Sequence, residues 1–425
     1  MYDVIVVGGG AAGFYGAIQI AEANPNLKVA IFERGKTVLG KVKVSGGGRC
    51  NVTHAEFNPS VLVNNYPRGK KELLGPFHTH CTGDVMQFFE ERGIPLKIEE
   101  DGRVFPVSNS SQSIIDCFLS EAERLNIKVL RNYQVKSFCS SDEIENGWMV
   151  TTKNKHYHCQ KMLMTTGSNP KIWGQLKTLG HSIVPAVPSL FTFNIDDKRI
   201  KSIPGVSTMA HVEVLPKKQY DSKITIQLKS GVKQEPLMAS EGPILVTHWG
   251  LSGPAILKLS AWGAKTLHEL NYNFRVVVNW LPEYTTGSLT GLFMEVKEVE
   301  AKKTVFKTKA VDMPRRLWYN LVRAAGIATD LRWGDATKIQ LQNLAEQLTR
   351  CSFKVEGKST FKEEFVTAGG VDLKEINFKT FESKKLSNIY FAGEIINVDA
   401  ITGGFNFQNA WTGAYIAAQA ITADF

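Results

Sequence analysis

The segment that most restricts what this chain can become is its first sixteen residues, MYDVIVVGGGAAGFYG, where a short apolar run meets Gly8, Gly10 and Gly13 in G-x-G-x-x-G spacing. Tyr2 to Val7 is β-branched and lacks polar alternation, the pattern of a strand buried on both faces, and Ala11 to Ala23 has the Ala and Ile content of a packed helix. Gly8 allows the tight turn between them, Gly10 lets a pyrophosphate approach the backbone, and Gly13 lets the helix lie close on the strand. The first N–H groups of the helix then face the phosphates. Residues 28–33, KVAIFE, read as a second strand, and its last residue, Glu33, stands twenty residues after Gly13, where a carboxylate accepts hydrogen bonds from an adenosine ribose. Strand, turn, helix, strand and acid in register make a dinucleotide cradle.

A chain of 425 residues is too long for one ordinary core and predicts two or three domains. With 43% hydrophobic and 21% charged residues, its composition is that of a globular protein. No apolar run approaches the roughly 20 residues of a membrane span, and Asp3 stands where a signal peptide needs a basic start. The expectation is a cytoplasmic protein with no membrane partner. The six cysteines form no C-x-x-C pair and read as reduced thiols. The H-x-H pairs His78/His80 and His156/His158 have no further ligand nearby in sequence, so they read as exposed strand and loop histidines, with no metal expected. The net charge of +9 is spread among acids with no aromatic-interleaved basic stripe, which argues for a basic surface and against nucleic acid as a partner.

Further along, residues 40–53, GKVKVSGGGRCNVT, are too glycine-rich for regular structure and read as a second cofactor loop. Gly83 to Arg92 and Ser111 to Leu125 read as helices, residues 96–107 as a hairpin, and the strand beginning at Lys128 brings Val135 toward an adenine. Strands are expected at 148–152 and 157–165, the second ending in Thr165-Thr166-Gly167. Beyond Pro188 the texture changes: short alternating runs, among them residues 211–215 and 223–228, predict an antiparallel sheet or small barrel over 189–284, followed by helices over 285–350 with Pro314 just inside a helix start. Cofactor-domain texture returns near residue 362. Residues 389–394, IYFAGE, read as one more buried parallel strand, and residues 402–408 open a final helix. The fold class is therefore α/β: a Rossmann-like two-dinucleotide domain from 1–188 and 362–425, interrupted by a β-rich and helical insert, 189–361. A grip this far from the first suits a long cofactor held at both ends, with the late acid at the ribitol and the helix start at the isoalloxazine edge that becomes negative on reduction. That favours FAD over NAD alone.

Four blocks, SGGGRCNVT (45–53), THWGLSGPAIL (247–257), TAGGV (367–371) and FAGEIINVDAITGGFNFQ (391–408), occur in one chain. With them the sequence resembles, over almost its whole length, the BaiN/RdsA-type NAD(P)/FAD-dependent oxidoreductases, which include aminoacetone oxidase-like and YhiN-like flavoproteins. The resemblance implies that Gly8, Gly10, Ala12 and Gly13 cradle the pyrophosphate and that Glu33 and Arg34 hold the adenosine ribose side. Lys41, Ser45, Gly46, Gly47, Gly48, Arg49, Cys50 and Asn51 would wrap the middle and flavin side. Val135 would meet adenine with Thr166 and Gly167 beside it, and Gly393, Glu394, Gly404, Phe405, Asn406 and Phe407 would meet the ribitol and ring. Gly40, the Thr165-Thr-Gly-Ser-Asn step and Asn409 depart from the family pattern, which bears on the substrate side.

The catalytic acid or base is not identified by the sequence. Cys50 beside Arg49 and His248 in the insert are the candidates, against packed-loop and turn-pinning roles. Trp249 and Phe405 read either as stacking residues or as core aromatics. The expected function is hydride transfer between a small organic substrate and non-covalent FAD, as a reductase of an activated C=C bond with NAD(P)H as transient donor. The alternatives are an oxygen-dependent oxidase of a small amine or amino ketone and an RNA-binding or RNA-modifying flavoprotein. Oligomeric state is not legible.

Overall fold

The computed structural model describes residues 1–153, 155–215, 236–360, 366–423 and 425. The chain divides into two compact units, Met1–Pro188 with Lys362–Phe425, and Ser189–Phe361. The expected run 223–228 lies outside the described residues.

In the first unit the apolar segments do what their patterns require. Strand β1 (Tyr2–Val7) is the centre of a parallel sheet, flanked by β2 (Val29–Glu33) on one side and the strand His156–Met164 on the other. Beyond these lie Lys128–Arg131 and Ile389–Phe391, also parallel. The order is therefore 128–131, 29–33, 2–7, 156–164, 389–391, with strands Ser137–Ser140 and Trp148–Thr151 added antiparallel at the side of 156–164. The strand order reverses next to β1, so the sheet opens a crevice at the carboxyl end of β1, the switch point where doubly wound sheets bind ligands. Helix α1 (Ala11–Ala23) and the final helix Phe405–Ala423 pack on one another through small residues: a Cβ added at Gly16 would stand 3.5 Å from Ala414 Cβ and 2.6 Å from Leu163 Cδ2.

The second unit has its own core around Trp280, Trp318 and Trp333. Its antiparallel sheet runs in the order Cys351–Glu356, Asn273–Asn279, Ser207–Val214, Met238–Val246, Gly250–Ser252, Thr192–Asn194, Lys358–Ser359. The two edge strands are consecutive in the chain. Gly357 joins them, donating to Tyr272 O at 2.9 Å and accepting from Asn194 N at 3.1 Å, so the sheet closes on itself as a small barrel. Helices Thr286–Val299, Arg315–Ala324 and Lys338–Thr349 complete the unit. Pro314 is the N-cap of the second of these rather than its first helical residue, because its ψ of 127° is extended.

Two local expectations change. Residues 40–48 begin as a helix, α2, and lose regular structure only at Ser45, where ψ turns to 148° and Gly46 and Gly47 follow at positive φ. His80 is not an exposed loop histidine but is 5% exposed, with Tyr15 Oη at 2.9 Å from its Nε2 and the Tyr415 ring stacked on it at 4.1 Å. The local H-x-H pattern could not show this, because the partners lie on α1 and the final helix. Among the described residues no cluster of three His, Cys, Asp or Glu is placed to hold a metal ion, and no helix is long and apolar enough to cross a membrane.

Burial pushes the His80 imidazolium down to about 4, against an opposing pull from Asp84. The unfolded chain takes up this proton near pH 6.5 and the folded chain only near 4, so the stability is present in full above 6.5 and is lost as pH falls toward 4. A melting-temperature series from pH 7 to pH 4.5 is expected to fall for the parent protein, by roughly 2–4 °C per kcal/mol lost. The decline should be shallower for H80Q, which starts lower.

Candidate functional site

The crevice at the end of β1 is built by close approach. Gly8, at φ +114°, runs so near the next strand that a Cβ there would lie 2.6 Å from Thr165 O, and a Cβ at Gly13 would lie 2.0 Å from Gly8 O. Only glycine permits this contact between helix start and strand end. Gly10 is the N-cap of α1 without any side-chain cap, α1 has no acid in its first turn, and a Cβ at Gly10 would meet nothing within 4 Å. The positive end of a 13-residue helix thus looks onto open space, the arrangement that receives a phosphate.

Glu33 stands beside this turn. One carboxylate oxygen accepts from Gly9 N at 2.9 Å and the other from Gly35 N at 2.6 Å, which fixes the group and leaves lone pairs for ribose hydroxyls. A shallow, half-open cleft gathers Gly8, Glu33, Arg34, Val135 and Thr166 from four separate stretches of sequence. Tyr133 also lines it, a residue the sequence reasoning did not single out. Its signal was its place two residues before Val135.

The two ends of the chain meet at the middle of the site. A Cβ at Gly393 would stand 3.3 Å from Ala12 Cβ, and one at Gly167 would stand 4.0 Å from Glu394 Oε2. Lys41 on α2 donates to Glu394. Gly46, Gly47 and Gly48 take φ of +58°, +68° and +85°, and Gly47 and Gly48 have nothing within 4 Å of a notional Cβ. Ser45 Oγ donates to Val42 O at 3.0 Å. Arg49 turns elsewhere: its guanidinium lies 3.9 Å over the Phe105 ring and 2.6 Å from Glu99. Cys50 is fully buried, and burial pushes its thiol up to about 12, so at neutral pH it is a protonated packing residue rather than a thiolate.

On the ring side, Gly404 packs on the Thr53 backbone and Phe405 is buried at 3% exposure, its ring 4.5 Å from that of His54. His54 Nδ1 donates to Gly403 O at 3.1 Å. Asn406 locks the preceding loop, accepting from Ala400 N at 3.0 Å and donating to Ala400 O at 3.2 Å. Phe407 stacks on Trp411 with ring centroids 5.5 Å apart. Arg68 makes a two-pronged ion pair with Asp399, which has no exposed surface. Neither His54 nor Arg68 was singled out in the sequence, and no motif marks them. His248 belongs to the second unit, on an exposed turn.

Asn51 Oδ1 and Asn409 Oδ1 are buried without a hydrogen-bond partner. Unsatisfied buried acceptors call for an explanation. Together with backbone that opens onto free space at Gly10, Gly47 and Gly48, they fit a ligand with N–H donors and a pyrophosphate, as FAD has. Replacing Gly13 by Val is expected to leave protein that purifies colourless, checked by the flavin absorbance per chain. Iodoacetamide is expected to modify exposed Cys139 quickly in native protein and Cys50 only after denaturation, read by peptide mass.

Similarity to known proteins bears on this arrangement. The family model for the HI0933-like protein Rossmann domain matches residues 2–420. A ribosomal RNA dihydrouridine synthase of Haemophilus influenzae is 26% identical over 434 residues, covering 98% of each chain. A 3-dehydro-bile acid delta(4,6)-reductase of Clostridium scindens is 24% identical over 428 residues, covering 99% of each. The solved structure of 3-ketosteroid delta1-dehydrogenase from Sterolibacterium denitrificans aligns over 100% of both chains with a TM-score of 0.50 and 10% identity, a likeness of fold.

Proposed function

The chain belongs to the HI0933-like protein family and is an FAD-dependent oxidoreductase. On that premise we propose that it reduces a carbon–carbon double bond conjugated to a carbonyl, with NADH or NADPH as a transient donor and FAD held non-covalently in the cytoplasm. The observation that carries this reading is the single two-ended cradle: Gly8 to Gly13 and Glu33 at one end, Gly393, Glu394 and the Gly404–Phe405 helix start at the other. The chain has no second strand–G-x-G-x-x-G–helix unit, so a nicotinamide has no domain of its own and must visit and leave. When bound, FAD supplies hydride chemistry at its N5 atom. Glu33 would fix the ribose, the α1 start would neutralise pyrophosphate charge, and Asn406, His54 and the Arg68–Asp399 pair would hold the ring-side loop in place. All six cysteines are free and four are buried, which supports a reducing compartment.

The two curated relatives reported above, different as their substrates are, share one reaction. Dihydrouridine is uridine with its C5=C6 bond saturated, a bond conjugated to the C4 carbonyl, and a 4,6-unsaturated 3-ketone is conjugated in the same sense. Both accept hydride at an electrophilic carbon and a proton at its neighbour.

Between these carriers of the double bond, charge favours RNA. Residues 189–361 hold 24 Lys and Arg against 16 Asp and Glu, whereas the remainder of the chain holds 26 against 25. Nearly all the positive excess therefore belongs to one unit, a concentration that supports a polyanionic substrate. This revises the expectation that nucleic acid is not a partner, which rested on spacing along the chain.

Anaerobic mixing with NADPH or NADH is expected to bleach the flavin absorbance quickly, with slow recovery in air. Recovery should quicken on adding unmodified ribosomal RNA and leave dihydrouridine detectable by nucleoside mass. If neither nicotinamide bleaches the flavin, the reductase reading falls and the protein is an oxidase instead.

A further inference from the structure

The second unit sends three tryptophans inward: Trp280, Trp318 and Trp333 are at most 1% exposed. Trp249 does the opposite, with 60% of its surface exposed. The turn that carries it is not loose. Thr247 N donates to Gly250 O at 2.8 Å, Thr247 Oγ1 accepts from the N–H groups of Trp249 and Gly250 at 3.2 Å each, and Trp249 O accepts from Ile195 N at 2.9 Å. Gly250, Leu251 and Ser252, immediately after it, are buried. A pinned backbone therefore holds a large flat ring out of the core, on the unit that carries the excess positive charge. Exposed Lys258 and Lys265 and a second exposed tryptophan, Trp262 at 44%, follow on the next two helices.

A tryptophan held out on so fixed a backbone offers an apolar face with a polar N–H edge, the combination that favours this residue at contact surfaces. An exposed flat ring on a unit with surplus lysines is the composition of a platform for single-stranded nucleic acid, in which lysines track the phosphates and aromatic faces stack on bases. Resting on the RNA reading above, we infer that Trp249 is the residue on which an unpaired RNA base stacks. The rigid turn means that little order has to be imposed on binding.

The test is the fluorescence anisotropy of a labelled oligouridylate titrated with full-length, flavin-loaded protein over a range of KCl concentrations. W249A is expected to weaken binding about tenfold or more, and W249F to restore most of it. The slope of log affinity against log salt should stay that of the parent, because a stacked ring releases no counterions. Flavin content and the rate of bleaching by NADPH should also match the parent. If W249A binds as tightly as the parent, the stacking role is overturned while the RNA reading stands. Equal loss in W249A and W249F would overturn it too, in favour of a role in the turn itself. Should the parent bind neither oligouridylate nor ribosomal RNA at low salt, the RNA reading falls and takes this assignment with it.

Discussion

Gly8, Ala12, Gly13 and Gly16 must be small, and the first unit is organised around that requirement. Gly13 touches the Gly8 carbonyl, Ala12 meets Gly393, and Gly16 lies against Leu163 and Ala414. These contacts let the first helix sit on the central strands and on the last helix at once. A methyl group too many at Gly13 would push the helix off the strand end, and with it the N–H groups that face the phosphate. The same contact thus serves as the core of the unit and as the geometry of its binding crevice.

Because those contacts join residue 12 to residue 393, the cradle forms only after both ends of the chain have been brought together around an insert of more than 170 residues. Closing so long a loop adds little to the entropy already spent, since the cost grows only as the logarithm of length. It is easier still if the insert folds first on its own core, and the barrel closure at Gly357 gives that unit the means: edge strands that would otherwise be open are joined by a single residue.

What the sequence made legible follows from the range of each interaction. The turn at Gly8, Gly10 and Gly13 and the acid at Glu33 are written within one βαβ unit, so spacing alone marks them. The strand at 389–391 and the helix after it were legible for the same reason. Arg68 and Asp399 are 331 residues apart, and His54 reaches Gly403 across a gap of 349. Nothing local records either contact. His80 misled because its neighbours in sequence are polar while its neighbours in space are Tyr15 and Tyr415. The motif position of Arg49 likewise says nothing of the aromatic face of Phe105 and the carboxylate of Glu99 that its guanidinium meets.

Charge shows the same limit in another form. Averaged along the chain, lysines alternate with acids and the surface reads as merely basic. Divided by folded unit, one half is close to neutral and the other strongly positive. The division of labour this supports is electrostatic. A pyrophosphate brings two negative charges, and the nearly neutral unit would meet them with backbone N–H groups and a helix dipole rather than a field of lysines. A long polyanion needs many cations spread over a surface, because each phosphate contact gains by releasing counterions. Within the first unit, Glu33 and Glu394 stand at the turns themselves, so an anion entering there has to fit the backbone geometry rather than meet a field of positive side chains.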